Sequence, residues 1–474
     1  MQTYCNFIGN RFVGNTDGEV IIVRNPATGE PVAQAACASP QVALDAVNIA
    51  AKAQQAWRNL SAAERGAHLQ KLADALIAQA PSIGAALALE SGKSLQDAVN
   101  ETRYAAEITR YHAEWARRIE GEIIPGDNPE ENLLLHRAPI GVVACLIPFN
   151  FPVYTLLRKI APALITGNTV VVRPSNHTPC SAFEIAQAIG IAGLPAGVVN
   201  ILAMSHATAA MLCTQAPVGM ITLTGSVNAG RQVLEYAKAN IAKISLELGG
   251  KTPAIVASDA NLEQAAREIA ASGTTHCGQL CTAVERVYAE RSVHAPLLAL
   301  LKKELAAYQP GNRAMHPECM GPLISDAARH RVHGMVERAV AAGATLELGG
   351  VLPPGPGYFY PPTLLSNCRQ DAEIVQEEVF GPVLCMLPCD GMEHALEMAN
   401  DHQFGLSSVL YTENYRTAMR FANRIEAGEL YVNRTPADPY QGYHAGWKRS
   451  GLGGDDGKHG MLEFTQTRLV VMKY

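Results

Sequence analysis

Residues Gly141–Pro174 read GVVACLIPFNFPVYTLLRKIAPALITGNTVVVRP. The run GVVACLI is short, apolar and rich in β-branched residues, and so is TVVVRP; both predict buried strands. Between them, VYTLLRKIAPALI has the length and apolar spacing of a helix. A strand, a helix and a second buried strand predict a βαβ unit in a parallel sheet with both faces covered.

The same alternation continues downstream. A helix is expected from about Cys180, then strand VVNIL, an alanine-rich helix, strand GMITLTG, helix AGRQVLEYAKA and strand KISLEL. A second alternating region starts near Thr252, with strands TPAIVA, RVYAE, TLELGG, PVLCMLPC, SSVLYT and GELYVN. Upstream, the first ~120 residues predict helices after a short strand region. Ser61 and Glu64 form a capping box, and Ser39-Pro40 reads as an N-cap and first helical position. TRLVVMKY at the end reads as a lone strand, which needs a partner; a neighbouring subunit is one place to find it. GGVLPPGPG (349–357) predicts a surface turn.

Composition bounds the function. The chain has 474 residues, a formal net charge of -6 and 48% hydrophobic residues, enough core for two or three domains and no basic footprint for nucleic acid. The N-terminus, beginning MQTYCNFIGN, lacks the basic and apolar regions of a signal peptide. The nearly uncharged run Ala138–Leu157 carries Pro139, Pro148, Pro152 and Asn150, which suit a strand and loop rather than a membrane helix. A soluble cytoplasmic protein is expected. Its eleven cysteines, an odd number, then stay reduced.

The stretch THCGQLCTAVERVY (275–288) gathers His276, Cys277 and Cys281. A disulfide does not suit that compartment, and no second Cys/His pair follows at zinc-finger spacing, so no metal is expected. A nucleophilic thiol is the third reading. The dinucleotide fingerprint G-x-G-x-x-G is absent; TGSVNAG (224–230) is the nearest substitute, with Gly225 able to take a positive φ before a helix N-terminus that suits a pyrophosphate.

Seven motifs occur together in order: IPFNFP (147–152), GNTVVVRPS, GLPAGVVN, TGS, LELGGK (246–251), GQLC (278–281) and EEVFGPV (377–383). With this set, over nearly its whole length, the chain resembles the aldehyde dehydrogenase superfamily, which oxidises aldehydes with NAD or NADP. The resemblance implies an α/β fold with two Rossmann-like parallel-sheet domains plus a small β oligomerisation extension. It places the cofactor domain at 1–125 and 144–248, the catalytic domain at 249–446, and the extension at 126–143 and 447–474. It implies a homo-oligomer, dimer or tetramer.

The resemblance also assigns roles. Cys281 is the nucleophile, Glu247 the general base that activates water on the thioester, and Asn150 the oxyanion donor, a kind of contact worth ~3 kcal/mol of barrier. Glu378 and Phe380 hold the nicotinamide ribose and pack near the ring; Gly225 and Ser226 form the pyrophosphate turn; Pro148, Gly230 and Leu248 support it. Arg173, Ser175 and Asn176 fall at the adenosine ribose. The family's usual carboxylate is Asn176 here, which removes repulsion toward a 2′-phosphate and leaves NAD and NADP both open. Cys277 reads as a packing residue or an accidental redox partner of Cys281.

YQGYHAGWKRSGLGGDDGKHG (440–460), AEWARRIEGEII (113–124), NLLLHRAPIGV (132–142) and CTAVERVY (281–288) are similar to the lactaldehyde/glycolaldehyde dehydrogenase branch. That likeness points to Arg158, Thr282, Asp438 and His444 around a small polar aldehyde, with succinic semialdehyde as the alternative. A catalytically retired relative on the same fold is the rival of another class; the intact set Cys281, Glu247 and Asn150 argues against it.

Overall fold

The structure, a computed structural model, describes residues 1–14 and 18–474. The strand–helix–strand unit forms as Val142–Leu146, Pro152–Ile165 and Thr169–Arg173. Every residue of the helix is buried, because layers lie on both sides of it. Its two strands pair in parallel at the centre of an eight-stranded sheet. Thr169–Arg173 is followed outward by Val199–Ile201, while the other side of Val142–Leu146 takes Val218–Thr224 and then Lys243–Glu247. The strand order therefore reverses between Val142–Leu146 and Val218–Thr224, and a crevice opens beyond their carboxyl ends. Antiparallel strands close both edges: Asn6–Ile8 with Arg11–Val13 on one, Gly451–Leu452 on the other.

Helices Pro40–Asn59, Ala62–Ser91 and Leu95–Glu114 cover this sheet. The Ser61–Glu64 capping box is complete and Ser39 caps the helix that begins at Pro40. Ala62–Ser91 is long and apolar enough to cross a membrane by length and composition. Its Leu69, Leu72, Leu76, Ile83 and Leu87 are instead fully buried in the core, so it is a packed helix of this domain. Ala138–Leu157 is divided among a strand end, the buried strand Val142–Leu146, a loop and the start of a helix.

The second sheet has seven strands, in the order Thr345–Leu348, Thr363–Ser366, Val383–Cys389, Val284–Glu290, Thr252–Val256, Ser407–Tyr411 and Glu429–Val432. All neighbours are parallel except the first pair. Thr363–Ser366 is a strand that the sequence reading lacks: four residues behind Pro361-Pro362 leave too short a pattern.

The C-terminal strand is not alone. Thr465–Lys473 pairs over nine residues with Glu131–Pro139 of the same chain, which also pairs with Glu122–Pro125. Of the segment 447–474, only this strand lies in the small sheet. Trp447–Lys448 pairs with Phe404–Gly405, and Gly451–Leu452 completes the eight-stranded sheet.

Candidate active site

The loop that carries Cys281 is built by tight backbone. After the helix Leu262–Thr274, His276 and Cys277 adopt φ of 48° and 59°, followed by Gly278 at 70°. Two non-glycine residues in the left-handed region carry strain of ~1–3 kcal/mol each, which their surroundings must hold. Cys277 is fully buried among Ile255, Tyr288 and Leu323, so packing is what it does in this loop. His276 lies edge-on to Phe151. The turn aims Cys281 into the space between the two large sheets.

LELGGK reaches the same space from the end of Lys243–Glu247. Its glycines are steric necessities. A Cβ on Gly250 would stand 2.3 Å from the Cys281 carbonyl oxygen, and one on Gly249 would stand 2.3 Å from the Glu378 carboxylate. The Gly250 N–H donates to Glu378 Oε1 at 2.9 Å. Lys251 continues inward to a buried ion pair with Glu285 at 2.6 Å. Glu285 in turn accepts the Val379 and Phe380 N–H groups, both at 2.9 Å, and so fixes the EEVFGPV loop. Sequence reading missed this supporting pair, although Lys251 and Glu285 both stand inside quoted motifs.

Two cavities meet at Cys281 and Asn150, which line both. The first, about 760 Å³, occupies the crevice where the strand order reverses. Pro148, Arg173, Ser175, Gly225, Ser226, Leu248, Glu378 and Phe380 line it. Ser226 caps the helix Val227–Ala237, whose N-terminus faces the crevice. Phe380, at φ 49°, packs edge-on to Phe149. Burial, with Glu285 adding to it, pushes the Glu378 carboxyl up to about 8.

Three expectations change in detail. Gly225 does not use a positive φ; its N–H donates to the Glu247 carbonyl at 2.9 Å, and a Cβ would meet Leu223 at 3.3 Å. Gly230 is outside the cavity wall and works one layer back, where a Cβ would stand 2.7 Å from Leu248. Asn176 is also off the wall and accepts a hydrogen bond from Arg173 at 3.1 Å. Arg173 Nε is buried without a hydrogen-bond partner, and His206, lowered chiefly by the nearby Arg173 charge, lines the same end. His206, Arg331, Gln403 and Arg449 were not legible in the sequence as members of this wall. A cleft of this size with a helix N-terminus midway, an orphaned guanidinium nitrogen at one end and a carboxylate at the other fits a dinucleotide.

The second cavity, about 900 Å³, holds Glu247, Arg158, Thr282, Asp438 and His444 beside Cys281 and Asn150. One Asn150 amide hydrogen is committed to the Gln279 carbonyl at 2.9 Å, which fixes the side chain and leaves its second N–H for the cavity. Glu247 is 3% exposed and neither of its oxygens accepts a hydrogen bond. Burial raises it to about 8, against the pull of His444.

Arg158 is not a free cation. Its Nε donates to Asp456 Oδ1 at 3.1 Å and its Nη2 to Asp456 Oδ2, with Asp455 at 3.7 Å and Asp438 at 3.8 Å. Burial opposes its charge, and Asp456 with Asp455 and Asp438 more than offsets that. Lys159 points the other way, to Asp455 at 3.0 Å and Thr222 at 2.9 Å. GLGGDDGKHG thus supplies the counter-ions of this Arg-Lys pair. Tyr104, Tyr154 and Tyr440 pack with tilted rings along the same wall.

The aldehyde dehydrogenase family model matches residues 12–470. Lactaldehyde dehydrogenase of Escherichia coli is 42% identical over 469 residues, 98% of each chain. Its crystal structure superposes with a TM-score of 0.98 over the whole of both chains, at 41% identity. An NADP-dependent D-glyceraldehyde dehydrogenase of Thermoplasma acidophilum is 33% identical, over 99% of this chain and 96% of that one. A thiol, a buried carboxylate and an amide at the junction of a dinucleotide cleft and a polar cavity are the equipment of aldehyde oxidation. The chain belongs to the aldehyde dehydrogenase family and is an NAD(P)-dependent oxidoreductase.

Proposed function

We propose that this enzyme oxidises a small hydroxyaldehyde of the lactaldehyde or glycolaldehyde type to its carboxylate. The observation that carries the reading is the state of Arg158. Its guanidinium is already held by Asp456, and Asp438 and Glu247 line the same cavity, with Glu429 behind His444. An anionic aldehyde would meet more carboxylate than free cation there, whereas hydroxyl groups can donate to Asp438 and accept from Arg158. The likeness to a lactaldehyde dehydrogenase and to a glyceraldehyde dehydrogenase supports the same class.

Cys281 attacks the carbonyl carbon as a thiolate, giving a thiohemiacetal whose oxyanion takes hydrogen bonds from Asn150 and the Cys281 N–H. Arg173, Ser175, Ser226, Glu378 and Phe380 line the cleft that would hold NAD(P), which would supply the hydride acceptor. Glu247 then takes a proton from the water that adds to the thioester, and collapse returns the thiolate and releases the acid. With Asn176 rather than a carboxylate beside Arg173, a 2′-phosphate is not repelled, so NADP is admitted alongside NAD. The enzyme works as a soluble, cytoplasmic homo-oligomer, joined through the small β extension.

The test is an absorbance assay at 340 nm crossing NAD and NADP with lactaldehyde, glycolaldehyde, succinic semialdehyde and hexanal. Preference for the hydroxyaldehydes is expected. Preference for succinic semialdehyde would make Arg158 a carboxylate clamp after all, and preference for hexanal would end the polar-pocket reading. Cys281→Ala is expected to abolish NAD(P)H formation with every aldehyde.

A further inference from the structure

Helix Pro152–Ile165 begins without a cap of its own: Phe151 stands at the N-cap position and makes no capping hydrogen bond. An apolar N-cap leaves the first N–H groups of a helix unpaired. Glu101, on helix Leu95–Glu114, supplies what is missing. Its Oε1 accepts the Val153 and Tyr154 N–H groups at 3.1 and 3.2 Å. Its Oε2 accepts from Lys93 Nζ at 2.5 Å, and both side chains are buried. Lys93 Nζ also lies 3.6 Å from the centre of the Phe151 ring, a cation–π contact. Glu101 and Lys93 both line the substrate cavity, yet both carboxylate oxygens are committed to this frame rather than to a ligand.

Asn150 stands directly before the turn that Glu101 fixes. From the other side its amide is held by the Gln279 carbonyl at 2.9 Å. Gln279 is anchored in turn: its side chain donates to the His276 carbonyl and accepts from the Ile324 N–H, both at 2.9 Å. The Phe151 ring meets His276 edge-on. Gly92, beside Lys93 at φ 74°, packs so closely that a Cβ would stand 2.6 Å from Pro322, whose carbonyl takes a second Gln279 bond at 3.3 Å. These contacts close a ring from Lys93 through Phe151 and Asn150 to Gln279 and back.

We propose that Glu101, paired with Lys93, is a positioning residue for the reaction: by capping helix Pro152–Ile165 from a distant segment, it holds the Asn150 amide where the oxyanion forms. The inference rests on reading Asn150 as the oxyanion donor. Such a donor works only if it is aimed before charge develops, and the aim comes from the hydrogen bonds that support it. Asn150 lies three residues before Val153, so release of the first helical turn frees the backbone that carries the amide. The Lys93 ammonium keeps the Glu101 charge balanced in a buried place, and its seat on the Phe151 ring holds the residue between Asn150 and the helix.

The test compares two full-length variants that both remove the buried charges and differ in what residue 101 offers the helix. Lys93→Met with Glu101→Gln keeps an acceptor oxygen opposite Val153 and Tyr154; Lys93→Met with Glu101→Leu does not. Stopped-flow absorbance reads NAD(P)H formation in a single turnover of glycolaldehyde, and NADH fluorescence checks the cofactor cleft. The leucine variant is expected to be ~10–100-fold slower, the order that follows from misplacing a reacting group by about 1 Å, with NADH affinity unchanged. The glutamine variant is expected to recover most of that loss. Equal rates for the two would overturn the proposal. Should either fail to fold, Glu101→Asp decides, since it keeps the charge beside Lys93 but draws the carboxylate back from the helix. If Glu101 acts through Asn150, this change slows the natural enzyme and costs nothing more once Asn150→Ala is present; losses that multiply would overturn the proposal. An Asn150→Ala variant as fast as the natural enzyme would instead end the oxyanion reading, so the two failures are distinguishable.

Discussion

Charge at single residues sets the chemistry. In the proposed cycle Glu247 must be ionised to take a proton from water, and burial has raised it to about 8. The carboxylate form therefore grows as pH rises through that value and is lost below it. Turnover is expected to climb between about pH 7 and 9, with an apparent midpoint that belongs to the Glu247–His444 pair rather than to either alone. Glu247→Gln should flatten this rise and lower turnover by ~10²–10⁴, while a stoichiometric burst of NAD(P)H survives because hydride leaves before water adds. Stopped-flow absorbance at 340 nm separates the two phases. At the other end of the cleft, Asn176→Glu places a carboxylate beside Arg173, within reach of a 2′-phosphate. Its expected effect is a loss of kcat/KM for NADP of tenfold or more with little change for NAD, since one like-charge contact across a few ångströms costs about 1–4 kcal/mol. Equal losses with both cofactors would place Asn176 away from the ribose.

Elements meet at the active site through absent side chains. Segment 248–251 can touch the Cys281 loop only because Gly250 has no Cβ, and the Glu378 carboxylate only because Gly249 has none. Gly250→Ala forces the nucleophile loop away from Glu247. The expected cost is ~1–3 kcal/mol of stability, read by denaturant unfolding, and about 10² in kcat from a nucleophile displaced by roughly 1 Å. A variant as active as the natural enzyme would show that the two segments are not tightly apposed in solution. Helix Pro152–Ile165 has a parallel role: it carries Arg158 and Lys159 on one buried turn, and its first N–H groups, from Val153 and Tyr154, are capped by Glu101 at 3.1 and 3.2 Å.

Across the whole molecule, the small three-stranded sheet stands apart from both large ones. Its strand Thr465–Lys473 leaves one edge unpaired, and Leu469, Val471 and Met472 there are half exposed, while Ile123 on the other outer strand is 78% exposed. An apolar strand edge of this kind pairs readily with a second copy. Leu469→Glu combined with Val471→Glu should shift the protein toward monomers in light scattering while leaving the far-ultraviolet dichroism unchanged. An unaltered oligomer would locate the subunit interface elsewhere. Most of the architecture is legible in the chain, because buried parallel strands must be apolar along their length and helices must be amphipathic or wholly buried. GVVACLI, TVVVR, TPAIV and SSVLY could hardly be read otherwise. That Cys281, Glu247 and Asn150 come to one cavity is legible for a different reason: close backbone approach demands glycine beside them, and this leaves recurrent local motifs. What the sequence could not decide was every interaction between distant segments. Whether Arg158 is free or neutralised depends on Asp456, almost 300 residues away. Whether TRLVVMKY needs a neighbour depends on Glu131–Pro139, and the charge around His444 depends on Glu429, Asp438 and Glu247 arriving at one point. Side-chain charge and hydrogen bonding act over a few ångströms of space, and only the tertiary fold sets which residues share that space.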